Sequence, residues 1–232
     1  MMNPGQTPIP YTLIRSKRKT LSIQIKNGEL IARAPVKLAK REIDRFIESK
    51  RGWIEDKLSI SKERAAQRDA YELSYGSLVP YRGVDFPIVA RAGDQLGFDH
   101  DEGCFFMPPD LDPDQIKETL TQVYKRLAKS YIPKKALEIA GTLGFKPSAI
   151  RITSAKTRWG SCSTRGSINF SYRLILAPNE LIEYVIIHEL CHLKEHNHGQ
   201  NFWNLAESIL PDYRSRRAKL IEFQRTLRGN DL

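Results

Sequence analysis

The stretch YVIIHELCHLKEHNHGQNFW, residues 184–203, decides how the rest of the chain is read. With Leu181 and Ile182 just before it, its first half is apolar at most positions, so a helix here belongs in a core. Inside that run stand His188, Glu189, Leu190, Cys191 and His192. Residues four apart share one face of a helix, which sets the two histidines about 6 Å apart along the axis. Two imidazole nitrogens at that spacing can reach one tetrahedral Zn²⁺. Glu189, about 100° round the axis, stands beside such an ion and can act as general base on a metal-bound water.

The third ligand sets the class of site, and three residues compete for it. His198 follows His188 by ten positions. A continuous helix would carry it about 15 Å along the axis, out of reach. The chain must therefore turn after the second histidine, and Asn197 and Gly199 are residue types that tolerate turns. The His198 spacing matches the metzincin pattern, with Glu195 where that pattern has glycine. His196 would be carried past the ion by an unbroken helix and reads as a polar surface residue. Glu207, on the next helix, would make a His-His-Glu site instead. His198 is the preferred ligand.

Composition narrows the setting. The chain has 232 residues, 41% hydrophobic and 28% charged, ordinary values for a water-soluble globular protein. It holds one substantial core or two small domains. No apolar run approaches ~18 residues, so no transmembrane helix is expected. The start, MMNPGQTPIPYTLIRSKRKT, has prolines and a glycine where a signal peptide needs an apolar stretch, and a cytoplasmic location is expected. Cys104, Cys162 and Cys191 cannot all pair and have no C-x-x-C spacing, so they read as reduced thiols. Cys191 reads as a small packing residue of the helix.

The net charge of +10 is uneven: +7 over residues 1–60, −6 over 61–120 and +9 over 121–232. Basic ends can attract nucleic acid or acidic partners. No aromatic residues interleave with the basic ones as single-strand binders require, so a solvated surface is favoured over a nucleic-acid site.

Two periodicities alternate along the chain. Within 11–36, Leu21, Ile23 and Ile25 alternate with polar neighbours, and Asn27-Gly28 supplies a hairpin turn. Residues 40–68 change to a helical period, with Ile43, Phe46, Ile47, Ile54 and Leu58 on one stripe and Trp53 packed beside it. The segment 71–109 returns to short strands, so 10–109 reads as an α+β, strand-rich layer with an antiparallel sheet. The region 110–232 reads as a second domain carrying the histidines. A long helix from Pro113 to about Leu143 is expected, kinked or divided at Pro133 and stopped by Gly144. Strands at Ile150–Ser154 and Ser167–Ser171 flank the loop AKTRWGSCSTRG. Pro178-Asn179-Glu180 starts a helix that should run to about Glu195. A last helix at 200–209 precedes Pro211 and a basic tail.

Beyond these patterns the chain resembles the YgjP-like metallopeptidases, related to the SprT-like and WLM groups. The likeness rests on Arg158-Trp159-Gly160-Ser161-Cys162-Ser163, then Asn169 and Arg173-Leu174. It continues in YVIIHELCHLKEHNHGQNFW and Pro211-Asp212-Tyr213, and the N-terminal part through Lys50-Arg51-Gly52-Trp53-Ile54 also fits. In that family the motif ends in an Asn-His-Ser-like turn whose histidine falls on His198, with Gly199 here replacing the serine. The resemblance implies a minimal zincin-like metallopeptidase domain, with an antiparallel sheet over the active-site helix and one Zn²⁺ per chain. The strand Ser167–Ser171 is then expected at the substrate edge, where an extended peptide could pair with it. Arg158 and Trp159 would border the cleft, unless Trp159 is a core anchor and Arg158 holds a carboxylate. Tyr213 is a candidate oxyanion donor or a packed tyrosine.

The leading expectation is a zinc-dependent peptidase acting on a peptide or protein, with His188, His192 and His198 as ligands and Glu189 as base. One alternative is a DNA-associated protease of the SprT or WLM kind acting on DNA-bound proteins, marked by steeply salt-dependent DNA binding. Another is a metal-binding module without peptidase activity.

Overall fold

In the computed structural model, which describes residues 8–26, 28–69 and 72–230, strands and helices form two compact units, Met1–Tyr71 and Glu72–Leu232. Strands 78–107 bury Val79, Tyr81, Ile88, Phe105 and Met107 in the same core as the histidine-bearing helix. The expected boundary at 109/110 is therefore displaced: the strands of the 10–109 region divide between two cores.

The first unit has strands β1 (Thr12–Ser16), β2 (Ser22–Lys26) and β3 (Glu29–Pro35), in the order β1-β3-β2. β2 and β3 form the expected hairpin, and Gly28 takes φ +76° at its turn. Asn27, the other turn residue, lies outside the described residues. β1 joins β3 in parallel, so the sheet is mixed rather than antiparallel. In β3, Leu30, Ala32 and Ala34 alternate inward, as a one-sided sheet requires. They pack with Ile43, Ile47 and Ile54. The expected single helix is two, α1 (Lys40–Ser49) and α2 (Arg51–Asp69), broken at Lys50, whose ψ is 11°. Trp53 is 48% exposed and does not join the stripe.

The second unit opens with β4 (Leu78–Tyr81), β5 (Val84–Ala90), β6 (Gly97–Asp99) and β7 (Cys104–Met107), ordered β4-β5-β7-β6. Helix α3 (Pro113–Leu143) follows. Asp112 and Gln115 form a reciprocal capping box at its start, and Gly144 ends it at φ +72°, the left-handed geometry glycine tolerates. Contrary to expectation, Pro133 does not divide it. The hydrogen bond that proline cannot donate is the one to Lys129, an exposed residue, where water can replace it.

Strands β8 (Ala149–Thr153), β9 (Gly160–Cys162) and β10 (Ser167–Ser171) form a third sheet, mixed like the other two and ordered β8-β10-β9. β10 runs parallel to β8 and antiparallel to β9. The expected loop 155–166 thus contains a strand, and β10 is the centre of the sheet rather than its edge. A 3₁₀ turn, Tyr172–Leu176, leads to α4 (Asn179–Cys191), α5 (Gln200–Ile209) and α6 (Tyr213–Asn230). The expected basic tail is this last helix.

The start of α4 is clamped by the β4–β5 hairpin. Arg82 and Gly83 sit at its tip with φ of 53° and 82°. Their amides donate to the carbonyls of Ile175 and Leu176 at 2.9 and 3.1 Å, and Arg82 Nε donates to Asn179 Oδ1 at 2.7 Å. A Cβ on Gly83 would lie 2.8 Å from Pro178 Cα. Gly83→Ala therefore combines a left-handed backbone with a clash against main chain. It is expected to cost the second unit about 2 kcal/mol or more, measured by urea denaturation.

Candidate metal centre

Helix α4 is apolar nearly all round, and Leu181, Ile182, Tyr184, Val185, Ile186, Ile187, Leu190 and Cys191 are all buried. That burial holds its last turn rigidly. The helix stops at Cys191 rather than Glu195, and His192 is its C-cap residue. Three bonds close the turn: Leu193 donates to Leu190, and Lys194 and Glu195 both donate to Cys191. The chain then reverses, and α5 starts after Gly199. Without that early stop His198 could not return to the helix.

The reversal brings three nitrogens together. His198 Nε2 lies 3.0 Å from His188 Nε2 and 3.1 Å from His192 Nε2. Nitrogens held about 2.0–2.1 Å from one tetrahedral ion stand about 3.4 Å apart, so this trio needs only a slight opening to hold a metal. His192 Nδ1 lies 3.0 Å from the carbonyl oxygen of Glu195. Donating there leaves its Nε2 as a free lone pair, the tautomer a metal ligand needs. Burial pushes the pKa of His188 down to about 3, with His192, His198 and Arg217 adding to the effect. Burial also lowers that of His198, helped by His192 and Arg217. Both rings are thus neutral donors. Among the described residues these three histidines form the cluster able to hold a metal ion.

Phe202 floors the cluster. It is fully buried, and its ring centroid lies 4.9, 4.6 and 4.7 Å from those of His188, His192 and His198. Trp203 stacks on His198 at 5.5 Å, and its indole N–H donates to the His198 carbonyl at 3.1 Å. Neither aromatic was singled out from sequence, although the Phe-Trp pair directly after the turn is a signal for packing at this point.

Glu189 projects from α4 toward β9 and is only 6% exposed, with Oε2 buried and without a hydrogen-bond partner. Burial pushes its pKa up to about 7, and the Arg158 guanidinium offsets part of that rise. β9 comes so close that a Cβ on Gly160 would lie 2.6 Å from both Cγ and Oε1 of Glu189. Only glycine leaves room for the carboxylate there, a role the sequence alone did not disclose.

The other candidates separate. Glu207 sits 3.6 Å from Arg214 and His196 is exposed; neither joins the cluster. Trp159 packs against the core, stacked on Phe223 at 6.0 Å. Arg158 is exposed. Tyr213 is 5% exposed, stacks on Trp203 at 5.4 Å, and its hydroxyl accepts from Arg214 Nε at 3.1 Å. Cys191 is fully buried, as expected of a packing residue.

The model of the YgjP-like metallopeptidase domain matches residues 19–223. The chain belongs to the YgjP-like metallopeptidase family. It is accordingly a peptidase of the metal-dependent kind, and none of its described helices is long and apolar enough to cross a membrane. Two solved structures are similar to part of it. They are the metallopeptidase zymogens abylysin of Pyrococcus abyssi and jannalysin of Methanocaldococcus jannaschii, at 23% and 26% identity. Each aligns over 39% of this chain and over 92% and 94% of its own length, with a TM-score of 0.36. No curated protein matches significantly.

The contact between Gly160 and Glu189 is testable in this YgjP-like chain. Gly160→Ala leaves the three histidines untouched but must displace the carboxylate. Metal content is expected to be retained while peptide cleavage falls about 100-fold, the scale of a 1 Å misplacement. Metal analysis and turnover on one sample check it.

Proposed function

We propose that the chain is a zinc-dependent peptidase in which His188, His192 and His198 hold one Zn²⁺ and Glu189 is the general base. The observation that carries this reading is the convergence of three imidazole Nε2 atoms, with a buried carboxylate that has a free oxygen on the residue next to His188. An all-imidazole donor set suits zinc, and three ligands leave a position open for chemistry. When bound, the ion supplies Lewis acidity that acidifies a water and polarises the peptide carbonyl.

The remaining work falls to this chain's own residues. Glu189 accepts a proton from the attacking water as its oxygen bonds to the carbonyl carbon. It then returns that proton to the amine nitrogen as the C–N bond breaks. Phe202 and Trp203 keep the three rings fixed through the cycle. An extended peptide cannot pair with Ser167–Ser171, because β8 and β9 occupy both sides of β10. The edge of that sheet beside Glu189 is β9, and we assign peptide pairing to it. Three unpaired cysteines suit a reducing cytoplasm.

Glu189→Gln is expected to keep zinc and lose cleavage by about 10²–10⁴-fold, the usual contribution of a general base. His198→Ala is expected to lose zinc. Elemental analysis paired with cleavage of a peptide library reads both outcomes. Full turnover by Glu189→Gln overturns the assigned base, and unchanged zinc affinity in His198→Ala overturns the assigned ligand.

A further inference from the structure

Helix α6 carries four cations in its first two turns, and three of them are ion-paired. Arg214 faces Glu207 at 3.6 Å, Arg216 binds Glu183 and Asp212 at 2.5 and 2.9 Å, and Lys219 meets Glu180 at 3.0 Å. Arg217 is the exception. It is exposed and has no carboxylate partner among the described residues. Its guanidinium sits 5.3 Å from the centre of the Trp203 ring, and Trp203 in turn stacks on His198. The free cation is thus held one aromatic ring away from the histidine cluster.

That placement is restrained. Trp203 is fixed by its indole bond to the His198 carbonyl and by its stack on Tyr213, so the surface under Arg217 is itself rigid. A guanidinium held over an aromatic face keeps its planar fork of N–H donors open at the edge. Such a fork matches a carboxylate with two parallel hydrogen bonds. Glu189 is buried, so it does not compete for the exposed guanidinium.

We infer that Arg217, seated on Trp203, binds a carboxylate of the peptide substrate and so selects for acidic peptides. This rests on the peptidase reading above and adds to it the chemistry of the substrate. Peptide residues advance about 3.3 Å each when extended, so the carboxylate recognised lies within about three residues of the scissile bond. It belongs either to an Asp or Glu side chain or to the peptide's own C-terminus, and both offer the same two oxygens.

The test measures binding separately from turnover. Fluorescent peptides of one neutral sequence are prepared in four forms: amidated, with a free C-terminus, with one internal Glu and amidated, and with one internal Lys and amidated. Affinities are read by anisotropy on zinc-loaded Glu189→Gln protein and on the same protein carrying Arg217→Gln, Arg217→Glu or, as control on the same helix, Arg225→Gln. Arg217 should favour a carboxylate-bearing peptide over the neutral one by about 2- to 5-fold, the worth of an exposed ion pair. Arg217→Gln should abolish that ratio and Arg217→Glu should turn it toward the Lys peptide, while Arg225→Gln keeps it. Preference for the Glu form or for the free C-terminus identifies the source of the carboxylate. Equal affinities for all four peptides, no detectable binding of any, or a ratio that survives Arg217→Glu overturns the inference. Cleavage by the wild-type protein is assayed in parallel, so a charge preference without cleavage refutes the peptidase reading alone.

Discussion

A helix that is apolar nearly all round must be covered on every side, and α4 meets that demand at the centre of the second unit. Burial of its leucines and isoleucines at ~25 cal/mol per Å² of apolar surface is what makes a polar pair, His188 and Glu189, tolerable at its end. Everything that positions the site packs against this helix. The 3₁₀ turn and the Arg82–Gly83 hairpin tip hold its start. β9 presses on Glu189, and Phe202 of α5 closes beneath the histidines.

The site is built from two opposite treatments of polar groups. Burial lowers the pKa of His188 and His198, and the hydrogen bond from His192 Nδ1 to the Glu195 carbonyl aims its Nε2 at the same point. Glu189 is buried with an oxygen left unpaired, an arrangement that costs stability and is kept where chemistry uses it. Gly160 makes that burial possible, since any side chain there would take the space of the carboxylate. Outside this pocket, α6 sets the Arg217 guanidinium over Trp203, whose ring stacks on His198.

Much of this was legible in the chain. The i,i+4 histidines with glutamate between them, the apolar run before them and the turn residues at 197–199 follow from helical geometry and turn chemistry. So do Pro113 and Gly144 as the limits of α3, and the alternation of Leu21, Ile23 and Ile25 along β2 and the residue before it, which pack on the first unit's core. Expectations failed where local signals compete with tertiary ones. Pro133 sits inside an unbroken helix because the bond it lacks falls at an exposed residue and the flanking turns bury Ile132 and Ala136. The loop after β8 hides a three-residue strand, too short to show periodicity, and that strand moves Ser167–Ser171 from the edge to the centre of its sheet. The division at 71/72 leaves no local mark in the sequence, because short strands look alike whichever core they serve.

The sequence by itself determined that a helix here carries two histidines on one face with a carboxylate beside them, because side-chain direction within a helix is set by local backbone geometry. It also determined the family, through several ordered blocks of residues. Only the tertiary structure decided that α4 ends at Cys191, that His198 rather than Glu207 completes the cluster, and that Gly160, Phe202 and Arg217 surround it. Those choices depend on which distant segments meet, and contacts between distant segments are set by burial and packing over the whole core rather than by any local run of residues.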